Sequence, residues 1–334
     1  MEFQYNLPVN LIFGRGSVSR IGDIAVDYGS KACIVTGRSS TRKSGLLNRV
    51  AEYLEKAGVE SVVFDRVEQN PLTTTAMEAA AFIRQEKCDT VIGLGGGSIM
   101  DCAKAAAFLS VNDGDINDYI FGRRKSSLAL PIILVPTTCG TGSEGNGFAV
   151  LTNPLNGDKK SLRCNAIVAK ASIIDSECMM TMPKSILASV GFDAFCHCME
   201  AFISKIGQPL TDMMSLQGMK LIGKYLVPLY EGQCSLEAWD ALSWASTLGG
   251  MVIHSAGVTL PHGMEHPASG LRNIVHGRGL AALTPVIMEE TISCCAEEDR
   301  KKFAEISRCI GGTDDTDCAA EIRGLLDRLQ LSET

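Results

Sequence analysis

The sequence predicts an α/β fold of two domains, a Rossmann-like parallel sheet domain followed by an all-helical domain. Three observations lead to this prediction. The chain has 334 residues, which is too long for one ordinary hydrophobic core. Its first half alternates apolar runs of strand length with helical patterns, as parallel α/β proteins do. From about residue 180 the strand-like runs stop and long helical patterns follow. We therefore expect domains at residues 1–180 and 181–334.

Each apolar run in the first half is short and is followed by a stretch with helical periodicity. The predicted strands cover residues 31–37, 59–65, 88–97 and 130–138, and the helices between them cover 44–58, 73–87 and 98–110. The helical patterns of the second half cover residues 183–204, 209–228, 235–256 and 296–310. This order of elements favours a parallel sheet with helices on both faces.

Composition excludes several classes of function. A net charge of −7 argues against a nucleic-acid partner, because such a partner needs a basic surface. The chain lacks a run of eighteen apolar residues, and its first ten residues do not resemble a signal peptide. We therefore expect no membrane partner and a cytoplasmic location, the alternative being the interior of a cell compartment reached by another route. The thirteen cysteines include no CxxC pair, so we expect reduced and mostly buried thiols.

Two glycine- and hydroxyl-rich turns follow predicted strands. The stretch GLGGGSIMDCAK (93–104) runs from a strand into a helix, where backbone N–H groups and the helix dipole can bind a pyrophosphate. Its spacing is not GxGxxG, and a tight structural turn is the alternative. The stretch PTTCGTGSEGN (136–146) adds hydroxyls at Thr137, Thr138, Thr141 and Ser143. Two such turns at the ends of parallel strands indicate a crevice for one dinucleotide.

The end of the first predicted strand, VTGRSS (35–40), bears on the choice of dinucleotide. An acidic residue at such a position often binds the ribose 2′-hydroxyl of NAD, whereas an arginine accommodates the 2′-phosphate of NADP. This chain has Gly37, Arg38 and Ser39 there and no carboxylate. The pattern favours NADP(H) over NAD(H), and a solvated loop arginine is the alternative.

All five histidines lie in the second half, and four of them fall within residues 254–277. His262 and His266 are four residues apart and share a face if the segment is helical. His276 is expected in a turn, and the segment before it can bring His276 back toward His262. One interpretation is a divalent-metal site made by the four side chains of Asp193, His197, His262 and His276. The alternative is a set of hydrogen-bonded core histidines.

Taken together, these motifs resemble the iron-containing (group III) alcohol dehydrogenase family. The stretches that carry the resemblance are LIFGRGSVSRIG (11–22), NP (70–71), GLGGGSIMDCAK, PTTCGTGSE, SIIDSE (172–177), GFDAFCHCMEAF (191–202) and HGMEH…VHG (262–277). The resemblance implies a dehydroquinate synthase-like arrangement, a Rossmann-like domain and then a helical metal-binding domain, with the active site in the cleft between them. It also implies a homo-oligomer, a dimer or larger.

The resemblance further implies roles for individual residues. Asp193, His197, His262 and His276 would bind Fe2+, or Zn2+ in some relatives, and His266 would relay a proton beside the substrate. The implied cofactor-binding residues are Gly37, Arg38, Ser39, Asn70, Gly95, Gly96, Gly97, Ser98, Asp101, Thr137, Thr138 and Thr141. Asp101 would lie near the nicotinamide half. Relatives that prefer NAD often carry aspartate at the position of Gly37.

The expected function is a metal-dependent alcohol dehydrogenase or aldehyde reductase. It would transfer a hydride between a nicotinamide cofactor, NADP(H) favoured over NAD(H), and a small primary alcohol or aldehyde, with Asp193, His262, His266 and His276 as its catalytic residues. Two alternatives are a dehydroquinate synthase-like lyase and a truncated, inactive metal-binding relative. The first needs basic residues around a phosphorylated substrate, and none cluster near the histidines. The second rests on the end of the chain at RLQLSET (328–334), since the resemblance implies further helices.

Overall fold

The structure is a computed structural model that describes residues 2–233 and 235–332. The chain forms two compact units. The sheet unit consists of Asn6–Thr138 and Ser143–Thr181. The helical unit consists of Met1–Tyr5, Cys139–Gly142 and Met182–Thr334. The predicted class, a parallel α/β domain followed by an all-helical one, is confirmed, while the predicted boundary between residues 180 and 181 stays a prediction.

Eight strands belong to the sheet unit. They are β1 (Asn10–Phe13), β2 (Lys31–Gly37), β3 (Glu60–Val67), β4 (Thr90–Gly95), β5 (Ile132–Pro136), β6 (Phe148–Thr152), β7 (Lys159–Arg163) and β8 (Ala171–Ile174). Six of them form one parallel sheet in the order β1-β8-β5-β4-β2-β3, and β6 and β7 form a separate antiparallel hairpin. The chain crosses from one side of β2 to the other between β3 and β4, and such reversals mark ligand crevices in open α/β sheets.

Apolar residues on both faces explain why the sheet is covered by helices on both sides. Along β2, Cys33 and Val35 belong to one core cluster, whereas Ala32 and Ile34 belong to the other. Successive side chains of a strand point to opposite faces, so a strand buried on both sides reads as a continuous apolar run. The helices of the sheet unit are α1 (Ile21–Ala25), α2 (Ser40–Lys43), α3 (Leu46–Lys56), α4 (Thr73–Gln85), α5 (Gly97–Leu109) and α6 (Ile116–Ile120).

Seven helices make up the regular structure described for the helical unit. They are α7 (Lys184–Ile203), α8 (Pro209–Tyr230), α9 (Leu236–Ala256), α10 (Leu260–Arg272), α11 (His276–Cys294), α12 (Glu297–Ile310) and α13 (Cys318–Arg328). Among the described residues, α7 alone is long and apolar enough to cross a membrane, but 83% of its apolar window is buried within the protein. This burial is typical of the core helix of a soluble protein, and α7 packs against α8, α9 and α11.

The predicted strands and helices coincide with observed elements to within a few residues at each end. Sequence periodicity missed β1, β8 and the β6–β7 hairpin, which are only four or five residues long. The expectation that His276 lies in a turn was wrong, because His276 is the first residue of α11. The backbone turns just before it, where Asn273 ends α10 in the left-handed conformation at φ 51°.

Candidate metal centre and dinucleotide site

Helix α7 presents three polar side chains on one buried face. Asp193, His197 and Glu200 follow one another at intervals of four and three residues, which places them one above the other on an α-helix. Each is at least 95% buried. Three such groups in a protein core are costly unless they have partners, so their surroundings decide what they do.

The two other predicted ligands lie in the first turns of their helices. His262 is the third residue of α10, and His276 is the first residue of α11. The next residue, Gly277, explains how α11 comes close to α7. A Cβ atom at Gly277 would lie only 2.1 Å from the backbone oxygen of Ser189, so only glycine allows this approach. The start of α11 thereby places His276 beside Asp193.

The donor atoms of the predicted ligands converge on one oxygen. Asp193 Oδ1 lies 3.4 Å from His262 Nε2, 3.6 Å from His276 Nε2 and 3.7 Å from His197 Nε2. The donor atoms of Asp193, His262 and His276 all lie within 4.8 Å of one another. Ligand atoms about 2.1 Å from a tetrahedrally coordinated ion stand about 3.4 Å apart, so this spacing suits one ion.

Each imidazole uses its other nitrogen within the protein. His262 Nδ1 lies 2.5 Å from Glu200 Oε1, and His197 Nδ1 lies 3.3 Å from the backbone oxygen of Gly140. His276 Nδ1 forms a short hydrogen bond with Glu265 Oε2. When Nδ1 donates its proton to such an acceptor, Nε2 keeps a lone pair, which is the tautomer that metal ligation requires.

Two atoms at the centre of the cluster have no partner among the described residues. Asp193 Oδ1 and His262 Nε2 are buried and make no hydrogen bond. Buried polar atoms are rarely left in this state, because the lost hydration costs about 1–3 kcal/mol each. A divalent cation would satisfy both atoms, so the donor set and its environment fit a metal ion.

The electrostatics of the cluster in the absence of an ion are dominated by burial and by its carboxylates. Burial alone would raise the pKa of Asp193, but His197, His276 and His262 hold that pKa below its ordinary value. Burial lowers the pKa of His197 to about 4, against the opposing effect of Asp193. The pKa of His262 is raised to about 10, because Glu200 and Asp193 together outweigh its burial. The cluster is thus an anionic environment that favours a bound cation.

His266 lies at the border of this cluster. Its ring centroid is 5.8 Å from that of His262 and 5.5 Å from that of His276, and its side chain is partly exposed. The side chain of His276 is also 22% exposed, whereas those of Asp193 and His262 are almost fully buried. The cluster is therefore most open to solvent on the side of His276, as a catalytic rather than a structural metal site requires.

The carbonyl group that holds His197 comes from a short turn of glycines within the helical unit. The turn 139–142 packs on α9 with direct contact between backbones, since a Cβ atom at Gly250 would lie 1.8 Å from the oxygen of Gly142. Neighbouring atoms leave little room for a side chain at four glycines of this contact, Gly140, Gly142, Gly249 and Gly250. They fix the carbonyl group of Gly140 that accepts from His197.

The cysteines on either side of His197 point away from the cluster. Cys196 Sγ lies 3.6 Å from Thr284 Oγ1, and Cys198 Sγ lies 4.0 Å from the oxygen of Ala245. The twelve cysteines that the structure describes form no disulfide with one another. The prediction of reduced cysteines therefore holds for this part of the chain.

The predicted dinucleotide turns of the sheet unit lie side by side. Strands β2, β4 and β5 are parallel neighbours, so the turns after Gly37, Gly95 and Pro136 share one edge of the sheet. Thr137 N donates to the oxygen of Gly95 across 3.0 Å. Helix α5 begins after Gly96 without any side chain capping its N-terminus, so its first N–H groups are available to an anion. Gly97 and Ser98 form the first turn of this helix.

Asp101 takes part in a hydrogen-bond network of the sheet unit. Its Oδ1 accepts from Ser143 Oγ at 2.6 Å, and its Oδ2 accepts from the backbone N–H of Val150 at 3.0 Å. The fully buried Lys104 donates to Ser143 Oγ, and also to the oxygen of Phe148, at 2.8 Å each. Burial lowers the pKa of Lys104 to about 8. Asp101 and Lys104 thus link α5 to the chain that follows the second turn.

The remaining predicted cofactor residues lie in three stretches, after β2, between β3 and α4, and after β5. Gly37 is buried at the end of β2, and Arg38 and Ser39 after it are exposed. Asn70 is buried in the left-handed conformation at φ 52°, and its Oδ1 accepts from Lys159 Nζ at 3.1 Å. Thr137 and Thr138 belong to the sheet unit and are partly exposed, whereas Thr141 belongs to the helical unit.

Comparison with known proteins decides the family. The family model described as iron-containing alcohol dehydrogenase matches residues 8–176, and the model of the C-terminal domain of the same family matches residues 187–334. The chain belongs to the iron-containing alcohol dehydrogenase family. The resemblance drawn from its motifs is therefore confirmed.

Individual relatives within this family cover most of the chain. It is 32% identical over 335 residues to a 1,3-propanediol dehydrogenase of Klebsiella pneumoniae, with 98% of this chain and 86% of that protein covered. It is 29% identical to an NAD-dependent methanol dehydrogenase of Bacillus methanolicus, covering 91% and 79%. A crystal structure of an archaeal halo-thermophilic alcohol dehydrogenase from a Red Sea brine pool superposes with a TM-score of 0.95 at 32% identity, covering 100% and 88%.

Sequence reasoning missed several residues that this family member places around the predicted site. They are Glu200, Glu265, Lys104 and Lys159. A signal was present for the two glutamates, because Glu200 follows His197 by three residues and Glu265 follows His262 by three. The lysines gave no signal, since nothing in a sequence marks a lysine as buried. The assignment of Asp193, His197, His262 and His276 as metal ligands stays a prediction.

Proposed function

We propose that this protein is a metal-dependent alcohol dehydrogenase or aldehyde reductase that acts on a small primary alcohol or aldehyde with a nicotinamide cofactor. The observation that carries the proposal is the convergence of Asp193 Oδ1 with the Nε2 atoms of His262 and His276, each imidazole being held at its other nitrogen by a carboxylate. Membership of the iron-containing alcohol dehydrogenase family supports the same conclusion.

Asp193, His197, His262 and His276 would hold the ion, which we propose to be Fe2+, with Zn2+ as the alternative. When bound, such an ion supplies a Lewis acid for the substrate oxygen. The residues themselves provide one negative charge and three neutral nitrogens in a buried environment. Because Glu200 and Glu265 fix the rings beforehand, little reorganisation is needed when the ion binds.

The backbone of Gly95, Gly96, Gly97 and Ser98 would bind the pyrophosphate at the start of α5, and Thr137, Thr138 and Thr141 would contribute hydroxyl groups. The cofactor supplies the hydride chemistry, and the protein supplies its orientation. Asp101 would act on this site through Ser143 and Val150, to which its carboxylate is hydrogen-bonded.

His266 would move the proton that the reaction exchanges with solvent. It is next to two predicted ligands and partly exposed, which suits a group that passes protons to water. Replacing His266 by Gln should lower kcat about 100-fold or more while metal content stays at the wild-type level. Unchanged turnover and an unchanged pH profile in this variant would remove His266 from the mechanism.

We propose NADP(H) as the preferred cofactor, on the grounds of Gly37 and the exposed Arg38 at the end of β2. A relative named as NAD-dependent points the other way. The proposed preference for NADP(H) therefore rests on Gly37 and Arg38 of this chain alone. By analogy with its family we also propose a homo-oligomer of two or more chains. On the grounds of net charge and apolar patterning we propose a cytoplasmic location with no nucleic-acid or membrane partner.

A reconstitution experiment tests this function. Metal-free protein receives Fe2+ or Zn2+, and the oxidation of NADPH and NADH is followed with a panel of short aldehydes that includes butyraldehyde and lactaldehyde. We expect metal-dependent turnover, faster with NADPH. A dehydroquinate synthase-like lyase would show no net turnover of the cofactor. An inactive metal-binding relative would bind the ion and still turn over none of the aldehydes.

A further inference from the structure

We propose that Glu200 and Glu265 are positioning residues that set the affinity of the metal centre, each by orienting a histidine of another helix. The proposal rests on the metal site of the proposed function and goes beyond it, because neither glutamate belongs to the predicted ligand set. Both are fully buried, and each forms a short contact with an Nδ1 atom. The test below measures the affinity for an ion and needs no turnover.

The two carboxylate oxygens of Glu200 have different hydrogen-bond partners. Oε1 accepts from His262 Nδ1 at 2.5 Å. Oε2 accepts from the backbone N–H of Thr259 at 2.7 Å and lies 3.4 Å from the backbone N of His262. Thr259 is the N-cap residue of α10, and its own side chain makes no capping hydrogen bond. Glu200 therefore replaces the missing cap and places a negative charge at the positive end of α10.

This arrangement ties the position of α10 to the ring of His262. Both are fixed by one side chain of α7, the helix that also supplies Asp193 and His197. A shift of Glu200 would therefore move the start of α10 and the Nε2 atom of His262 together. The distance of 3.4 Å between that atom and Asp193 Oδ1 depends on it.

Glu265 orients a histidine in the same way as Glu200, between α10 and α11. It belongs to α10, and its Oε2 forms a short hydrogen bond with Nδ1 of His276, the first residue of α11. The side chain packs against Gly279, where a Cβ atom would lie 2.8 Å from Glu265 Cγ. A glycine one turn into α11 thus makes room for the carboxylate that orients His276.

The three histidines are not supported equally. Carboxylates accept from His262 and His276, whereas a neutral carbonyl accepts from His197 at the longer distance of 3.3 Å. A carboxylate partner orients an imidazole and also makes it a better electron donor to a metal, more than a neutral acceptor does. We therefore infer that His262 and His276 contribute most to affinity, and that the glutamates are the reason.

The experiment compares metal affinities by competition with a chelating indicator. Metal-free full-length protein is titrated with Zn2+, and the variants Glu200→Gln and Glu265→Gln are treated alike. Each change keeps the shape of the side chain and removes its charge. We expect each variant to bind Zn2+ about 10–100-fold more weakly than the wild type. Binding within twofold of wild type for both variants would overturn the proposal.

A matched control separates helix capping from metal orientation. Glu68 Oε1 accepts from the backbone N–H of Leu72 and from Thr75 Oγ1 at 2.8 Å each, at the start of α4, and both partners lie in the sheet unit. The variant Glu68→Gln makes the same chemical change at a helix start in the sheet unit. It should lose some thermal stability and keep the wild-type affinity for Zn2+. An equal loss of Zn2+ affinity in this control would show that the Glu200 variant binds weakly because it is less stable. That result would overturn the proposal.

Two further measurements check that the variants fold and that the charge of Glu265 is what matters. Circular dichroism of each metal-free variant shows whether it folds, and the exchange Glu265→Asp is a second variant that keeps the charge at a shorter reach. Glu265→Asp should bind Zn2+ more tightly than Glu265→Ala, because it keeps the negative charge. Equal affinities of the two variants would show that Glu265 acts through packing alone. A wild-type protein that binds no ion at all would instead refute the proposed metal centre itself.

Discussion

Asp193 Oδ1 and His262 Nε2 face each other across 3.4 Å, and neither atom makes a hydrogen bond with any described residue. The other ring nitrogen of His262, Nδ1, lies 2.5 Å from Glu200 Oε1. A protein core rarely leaves two buried polar atoms side by side without a partner. The pair therefore favours the cation site of the proposed function.

His276→Ala should abolish metal binding and turnover together. The imidazole is one of three donor groups that lie within 4.8 Å of one another, and a smaller residue leaves the ion without a ligand. The change should not unfold the protein, because the side chain is partly exposed. Metal analysis, aldehyde reduction and circular dichroism on one preparation check this. Full activity in a variant without bound metal would contradict the ligand assignment.

The double variant Cys196→Ala, Cys198→Ala should keep its metal. Both thiols point to other helices, and burial raises the pKa of Cys198 to about 12, so it stays protonated and is a poor ligand. The variant should lose only packing, about 1–2 kcal/mol of the free energy of unfolding. Equilibrium unfolding and metal stoichiometry measure the two effects. A fall in the number of metal ions per chain below half of the wild-type value would show that the cysteines are metal ligands.

Gly37→Asp should lower activity with NADPH more than with NADH. An aspartate there would repel the 2′-phosphate and could bind a ribose hydroxyl. Space is available, since the nearest heavy atom to an added Cβ is Ile99 Cδ1 at 3.4 Å. The measurement is kcat/KM for each cofactor, with Gly37→Ala as the control that adds the Cβ without the charge. A wild-type enzyme that already strongly prefers NADH would contradict the argument from Gly37 and Arg38.

The buried Lys104 predicts a distinctive dependence of stability on pH. Burial lowers its pKa in the folded protein from 10.5 to about 8. Between these two values the unfolded chain binds the proton and the folded protein does not, so the free energy of unfolding rises with pH. Below pH 8 both states are protonated and the contribution is constant.

Lys104→Met lacks this titration. The difference in unfolding free energy, wild type minus variant, should therefore grow as the pH increases from about 8 to about 10.5. Urea unfolding at several pH values in this window measures it. A difference that stays level or shrinks over the window would show that the amine keeps its proton in the folded protein.

The central strands of the sheet unit were predictable from the sequence. Strand β2 is buried on both faces, so it reads as one apolar run, and Gly37 marks its end. Strands β1 and β8 are too short to show a period, and their place is set by pairing, of β1 with β8 and of β8 with β5. Such long-range pairing leaves no local signal, which is why both were missed.

The cluster of Asp193 with three histidines was predictable from the sequence, and the side chains that support it were not. Asp193 and His197 share a helical face by spacing alone, and four histidines in 254–277 mark the other half of the site. The position of His276 was misjudged, because a histidine can begin a helix without any capping signal. The contact between Gly277 and Ser189 that brings α11 to α7 joins residues far apart in the chain. No local pattern contains that information.

The catalytic role of the metal is tested by a titration of metal-free protein with Fe2+ under anaerobic conditions, with NADPH oxidation by butyraldehyde as the signal. We expect negligible turnover without metal and a linear rise that ends at one ion per chain. Asp193→Asn, in which one neutral oxygen replaces the carboxylate, should show no such end point. Turnover in the metal-free protein equal to that of the loaded protein would contradict the claim that these residues hold a catalytic metal.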